Sequence, residues 1–130
     1  MTQDLFYLSL LAGLGLVLWM PHVIAIVVSH GFHSPKAYRE AKMQELPNWG
    51  QRAKRVQMNY VENITPFAAL IIVAHLTKTA SETTALCAML FFWIRIAYSV
   101  VFYLGLPYIR TVLFTAGIVV NAILFLQIVT

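Results

Sequence analysis

Between Leu5 and Ser29 the chain carries no charged side chain. A helix of that length crosses a hydrocarbon core of ~30 Å. The stretch is longer than the ~7–15-residue apolar region of a secretory signal, and no basic segment precedes it, so it reads as a retained span. Composition argues the same way. Of the 130 residues, 60% are hydrophobic and 11% charged, against ~25% charged in an ordinary soluble domain. Too few polar groups remain to wrap a soluble core, and the chain reads as an integral membrane protein.

The remaining sequence divides into three further candidate spans. The expected architecture is an all-α, four-transmembrane-helix bundle forming one unit over residues 1–130, with spans near 5–29, 51–78, 82–103 and 107–129. Gly13 and Gly15 suit close helix approach, and Pro21 predicts a kink in the first helix. The second span is unusual. Its uniformly apolar part, Ile64–Leu76, is too short to cross alone, so the helix must include the preceding turns with Arg52, Arg55, Asn59 and Glu62. Pro66 predicts a second kink, with carbonyls freed near Glu62.

A polar connection separates the first two spans. Lys36, Arg39, Glu40, Lys42 and Glu45 suggest a short exposed helical stretch, broken at Leu46-Pro47-Asn48-Trp49-Gly50. Trp49 suits a membrane interface. The net charge of +4 does not signal nucleic acid. The basic residues gather in this region, as Lys36, Arg39, Lys42, Arg52, Lys54 and Arg55, and act as a topology signal. The first loop and the Leu104–Pro107 turn are expected in the cytoplasm, with both termini on the opposite side. A bacterial chain of this kind would be a multi-pass protein of the inner (plasma) membrane. His30 and His33 have no second ligand pair and read as loop histidines, so no metal site is expected. Cys87, the single cysteine, reads as a packing residue.

Charges inside a span cost roughly 2.5–3.5 kcal/mol each on insertion scales, so the polar residues of the spans require a reason. Arg52, Arg55, Asn59 and Glu62 follow steps of three, four and three and fall within roughly 80° on a helix. Such a stripe belongs against the bundle interior or a neighbouring subunit. Arg95 is a natural partner for Glu62, and shares a face with Tyr98 and Phe102. Arg110 shares a face with Phe114, Gly117 and Asn121. A salt-bridge network that sets helix register would explain the Glu62–Arg95 pair. It leaves the rest unexplained, because Arg52, Arg55, Arg95 and Arg110 are opposed on these faces by Glu62 alone. The surplus of guanidinium points to an anion such as a lipid headgroup, a carboxylate ligand or a thiolate.

Two segments carry a family resemblance. Arg55-Val56-Gln57-Met58-Asn59-Tyr60-Val61-Glu62-Asn63-Ile64-Thr65-Pro66-Phe67 resembles the second-helix signature of the MAPEG family (membrane-associated proteins in eicosanoid and glutathione metabolism). Phe91-Phe92-Trp93-Ile94-Arg95-Ile96-Ala97-Tyr98, continuing to Gly105-Leu106-Pro107-Tyr108-Ile109-Arg110-Thr111, is similar to the third-to-fourth helix junction of bacterial members. The resemblance implies a homotrimer with glutathione held at subunit interfaces as co-substrate. Arg52, Arg55, Asn59, Glu62, Arg95 and Tyr98 are the binding candidates, and Arg110 is the catalytic candidate beside the thiol. The register places Tyr98 where bacterial relatives often have His, and Phe102 where they often have Tyr.

The resemblance implies a glutathione-dependent transferase or peroxidase acting on lipophilic electrophiles or lipid hydroperoxides that arrive through the bilayer. A non-catalytic glutathione- or lipid-binding scaffold of the same fold is the alternative. A small transporter is a third reading, but no internal repeat supports it.

Overall fold

The structure, a computed structural model, describes residues 1–30 and 46–130. These form helices α1 (Gln3–His30), α2 (Asn48–Leu76), α3 (Glu82–Leu104) and α4 (Pro107–Val129). The expected short helix over Lys36 to Glu45, and His33, lie outside the described residues. Helices α1, α3 and α4 are each long and apolar enough to cross a membrane. Their outer faces carry large apolar side chains such as Leu16, Val28, Trp93, Val112 and Phe125, as lipid contact requires. Helix α2 has 29 residues, about 43 Å at ~1.5 Å per residue. Its first half holds the polar residues. Pro21 lies within α1 and Pro66 within α2, and both helices continue past them.

Local sequence explains the helix ends. Ser81 precedes α3, and its backbone N–H donates to Thr84 Oγ1 at 2.8 Å, satisfying one of the orphan donors of the first turn. Gly105 closes α3 in the left-handed region at φ 75°, which a residue without Cβ adopts freely. The Gly105 and Leu106 N–H groups return to the carbonyls of Phe102 and Val101. Pro107 then opens α4 at a position where its missing N–H costs nothing.

Helix α3 packs along α4, and α1 packs along α2. The two pairs join through α1 against α3, while α2 also meets both α3 and α4. The shared core contains Leu11, Leu18, Val56, Tyr60, Phe67, Ile71, Phe91 and Leu124. Phe67 and Phe91 stack with ring centroids 4.3 Å apart, tying α2 to α3. Tyr60 donates its hydroxyl to the Leu11 carbonyl oxygen, so this buried phenol is satisfied across the α1–α2 seam. A Cβ at Gly15 would come within 3.1 Å of the Tyr60 ring, whereas one at Gly13 would meet nothing. Of the two glycines expected at helix contacts, Gly15 therefore lies at one. The tightest approach is at Gly50, where a Cβ would stand 2.6 Å from the Ala25 Cβ.

One end of the bundle is fastened by a carboxylate. Asp4 lies in the first turn of α1 and is 2% exposed. Its Oδ1 accepts from Thr2 Oγ1 at 2.6 Å and from the Leu5 backbone N–H at 3.0 Å. Its Oδ2 lies 2.8 Å from His75 Nε2 and 3.3 Å from Thr84 Oγ1. One side chain thus joins the start of α1, the end of α2 and the start of α3. The helix dipole of α1 also favours a negative charge there. Asp4→Ala should cost about 2 kcal/mol, the scale of hydrogen bonds to a charged group, and lower the thermal midpoint in detergent; an unchanged midpoint would remove this role. Gly50→Val should destabilise the α1–α2 pair more severely, since its branched Cβ meets the Ala25 Cβ rather than a movable chain end.

Candidate functional site

Helix α3 carries Arg95 into the centre of the bundle, where it is 1% exposed. Its Nη2 donates to Asn59 Oδ1 at 2.7 Å, joining α3 to α2. The guanidinium carbon lies 4.6 Å from the Tyr98 ring centroid and 5.8 Å from that of Tyr60. Arg95 Nε is buried and has no hydrogen-bond partner. Among the described residues the only ion pair is Asp4–His75, at the far end of α2, so no carboxylate faces Arg95.

The expected Glu62–Arg95 pair is therefore not formed. Asn59 and Glu62 are three residues apart, which turns their directions by roughly 60° on a helix. That rotation is enough to leave Asn59 against α3 and to carry Glu62 to the exposed outer face. There Glu62 lines an open groove with Lys54, Gln57, Met58 and Val61. Arg55 is exposed on the same helix. The stripe thus splits at its edge: Asn59 faces inward, while Arg55 and Glu62 are exposed.

Arg52 is exposed and occupied with the backbone. Its Nη1 donates to the Tyr103 carbonyl oxygen at 3.1 Å, one of the carbonyls that the end of α3 leaves unpaired. Its guanidinium lies against Gly105, 3.5 Å from where a Cβ would stand. This arginine braces the α3–α4 turn against the start of α2.

That turn positions Arg110 in the first turn of α4, half-buried. Its guanidinium carbon lies 4.9 Å from the Phe102 ring centroid. Phe102 is 5.9 Å from Tyr98, ring to ring, and Tyr98 also meets Phe114 at 6.5 Å. Arg95, Tyr98, Phe102 and Arg110 form a continuous ladder, with a guanidinium at each end and rings between. Cation–π contact helps hold a guanidinium away from water, but it leaves the positive charge uncompensated. The Tyr103 hydroxyl is buried without a partner, and no polar contact joins it to Arg110 among the described residues.

Sequence reasoning missed Asn63. Its Nδ2 lies 2.8 Å from the Asn59 carbonyl oxygen and 3.3 Å from Asn59 Oδ1. The i, i+4 spacing from Asn59 was the available signal.

The structure thus places the buried Arg95 on the third helix, its partner Asn59 on the second and Arg110 in the first turn of the fourth. The sequence model of the MAPEG family matches residues 9–130, nearly the whole chain. The chain belongs to the MAPEG family. No curated protein and no solved structure matches it. Membership makes this MAPEG chain part of a membrane family whose functions are related to glutathione and eicosanoids, and whose members are typically oligomeric and embedded in lipid.

An arginine kept for an absent anion behaves differently from one kept for the fold. Replacing buried ionic groups by apolar side chains of similar volume is often neutral or stabilising when no opposite charge is left stranded, and among the described residues Arg95 has no ionic partner. Arg95→Met should therefore keep or raise the thermal midpoint of the ligand-free protein in detergent. A loss of about 3 kcal/mol or more, as seen when a structural pair is broken, would assign Arg95 to the scaffold instead.

Proposed function

We propose that this MAPEG chain is a glutathione-dependent membrane transferase or peroxidase, working on lipophilic electrophiles or lipid hydroperoxides. The observation that carries this reading is the buried Arg95 guanidinium, which makes no ion pair among the described residues. A tripeptide with two carboxylates supplies the missing charge, and the unpartnered Nε of Arg95 supplies a donor. Asn59 stands beside it as a neutral amide, able to donate to the same ligand.

In this proposal α2 is the fourth span, and three copies of the chain assemble around the axis of a homotrimer. The outward-facing Arg55 and Glu62 then meet a neighbouring copy, so that the ligand is enclosed from two sides. The first connection and the Gly105 turn face the cytoplasm, following their basic residues. Glutathione enters from there, and the second substrate enters through the bilayer.

Glutathione supplies a thiol nucleophile, which at neutral pH is mostly protonated because a free thiol has a pKa near ~8.5. Arg110 is the catalytic candidate. A guanidinium within hydrogen-bond reach favours the thiolate over the thiol. The Phe102 ring holds Arg110 from one side, and among the described residues its N–H groups make no hydrogen bond, so they can serve the sulfur. Arg55, Asn59, Glu62, Arg95 and Tyr98 bind and orient the tripeptide, and Arg52 contributes by holding the α3–α4 turn that carries Arg110.

One observation favours a second reading, binding without turnover. Phe102 gives Arg110 a ring without a hydroxyl, so any hydroxyl assistance on this face must come from Tyr98. Purified protein, given glutathione and a generic aryl halide or a lipid hydroperoxide, separates the two. Conjugation or peroxide reduction above the uncatalysed rate supports the enzyme, and tight glutathione binding without either supports the scaffold. In an active enzyme, Arg110→Ala should lower kcat about 100-fold, the scale of losing one charge-stabilising donor, while KM for glutathione changes only slightly. Unchanged kcat would end the catalytic assignment.

A further inference from the structure

The two asparagines of α2 form a connected pair, and its geometry decides how the site presents itself. A primary amide offers two N–H donors on nitrogen and an acceptor on oxygen. Asn59 Oδ1 receives Arg95 Nη2 at 2.7 Å and Asn63 Nδ2 at 3.3 Å. Turning the Asn59 amide over would place its nitrogen against both donors, at distances where N–H groups repel. Asn63 is fixed in the same way. Its nitrogen lies 2.8 Å from the Asn59 backbone carbonyl oxygen, and its oxygen in that place would set acceptor against acceptor. Among the described residues Asn59 Nδ2 has no hydrogen-bond partner, and it is not among the buried unsatisfied atoms.

We propose that Asn63 is a positioning residue: by occupying the second acceptor direction of Asn59 Oδ1, it locks the Asn59 amide with its NH2 group turned toward the ligand, as a donor to one of its carboxylates. The inference rests on the glutathione reading and deepens it. Arg95 alone cannot supply this lock, since a single hydrogen bond leaves the amide free to rock about its Cβ–Cγ bond. Asn63 is anchored to backbone one turn below, so it transmits the rigidity of α2 to the side chain of Asn59.

Asn63→Leu removes the donor at nearly constant shape and adds no charge. Glutathione binding, measured by calorimetry on the detergent-purified full chain, should weaken about tenfold, with kcat for bound substrate changed less than threefold. In the Asn59→Ala background, Asn63→Leu should have no further effect on the dissociation constant, because the residue acts only through Asn59. Asn63→Asp, an isosteric acceptor, should weaken binding at least as much as Asn63→Leu. Wild-type affinity in Asn63→Leu overturns the proposal, and so does a loss that persists undiminished in the Asn59→Ala background. Absence of glutathione binding by the unaltered protein overturns the glutathione reading itself, a result distinct from either.

Discussion

A guanidinium almost wholly removed from solvent, with no ion-pair partner among the described residues, is the constraint around which this bundle is arranged. Moving such a group out of water is costly, and attraction to a carboxylate normally offsets the loss. Here the compensation is partial. Asn59 gives one neutral acceptor, and the rings of Tyr98 and Tyr60 give their faces. The fold tolerates Arg95 in this position because α2 and α3 are held in register by contacts that do not involve it, chiefly the Phe67–Phe91 stack.

The two ends of the bundle are fastened differently. At one end Asp4 gathers three helices through hydrogen bonds and a partner histidine that is 24% exposed. At the other, Arg52 reaches across to one carbonyl at the close of α3. The first fastening is dense and buried, and it concerns stability. The second is a single bridge on an exposed residue, and it supports the turn from which Arg110 projects. Under the proposed function, a lightly braced turn suits a site that must admit a ligand. In the proposed assembly the exposed side chains of Arg55 and Glu62 meet a neighbouring copy.

Much of this was legible from residue order alone. Apolar length and the Leu104–Pro107 turn marked the limits of the last two helices, and the need to explain charge within spans drew attention to Arg95 and Asn59. What failed was pairing. Opposite charge suggested Glu62 for Arg95, but a turn of three residues carries Glu62 to the surface, and spacing cannot say which edge of a stripe faces inward. The Asp4–His75 contact was invisible because it joins residues near opposite ends of a long separation, with no local pattern linking them. Gly50 was read as part of a break, whereas it lies in the first turn of α2, packed so closely on Ala25 of α1 that a Cβ would not fit. Asn63 was hidden inside a recognised motif, since its partner lies on its own helix and only coordinates reveal which atoms meet.

Titrating glutathione and its dicarboxylate diester into the detergent-purified protein tests the central claim most directly. The two molecules share the peptide and the thiol but differ in the charges that Arg95 and its neighbours should recognise. Saturable binding of glutathione, with the diester at least ten times weaker, is the expected outcome. Equal affinity for both, or heat from neither, would mean that the buried guanidinium serves no anionic guest of this kind.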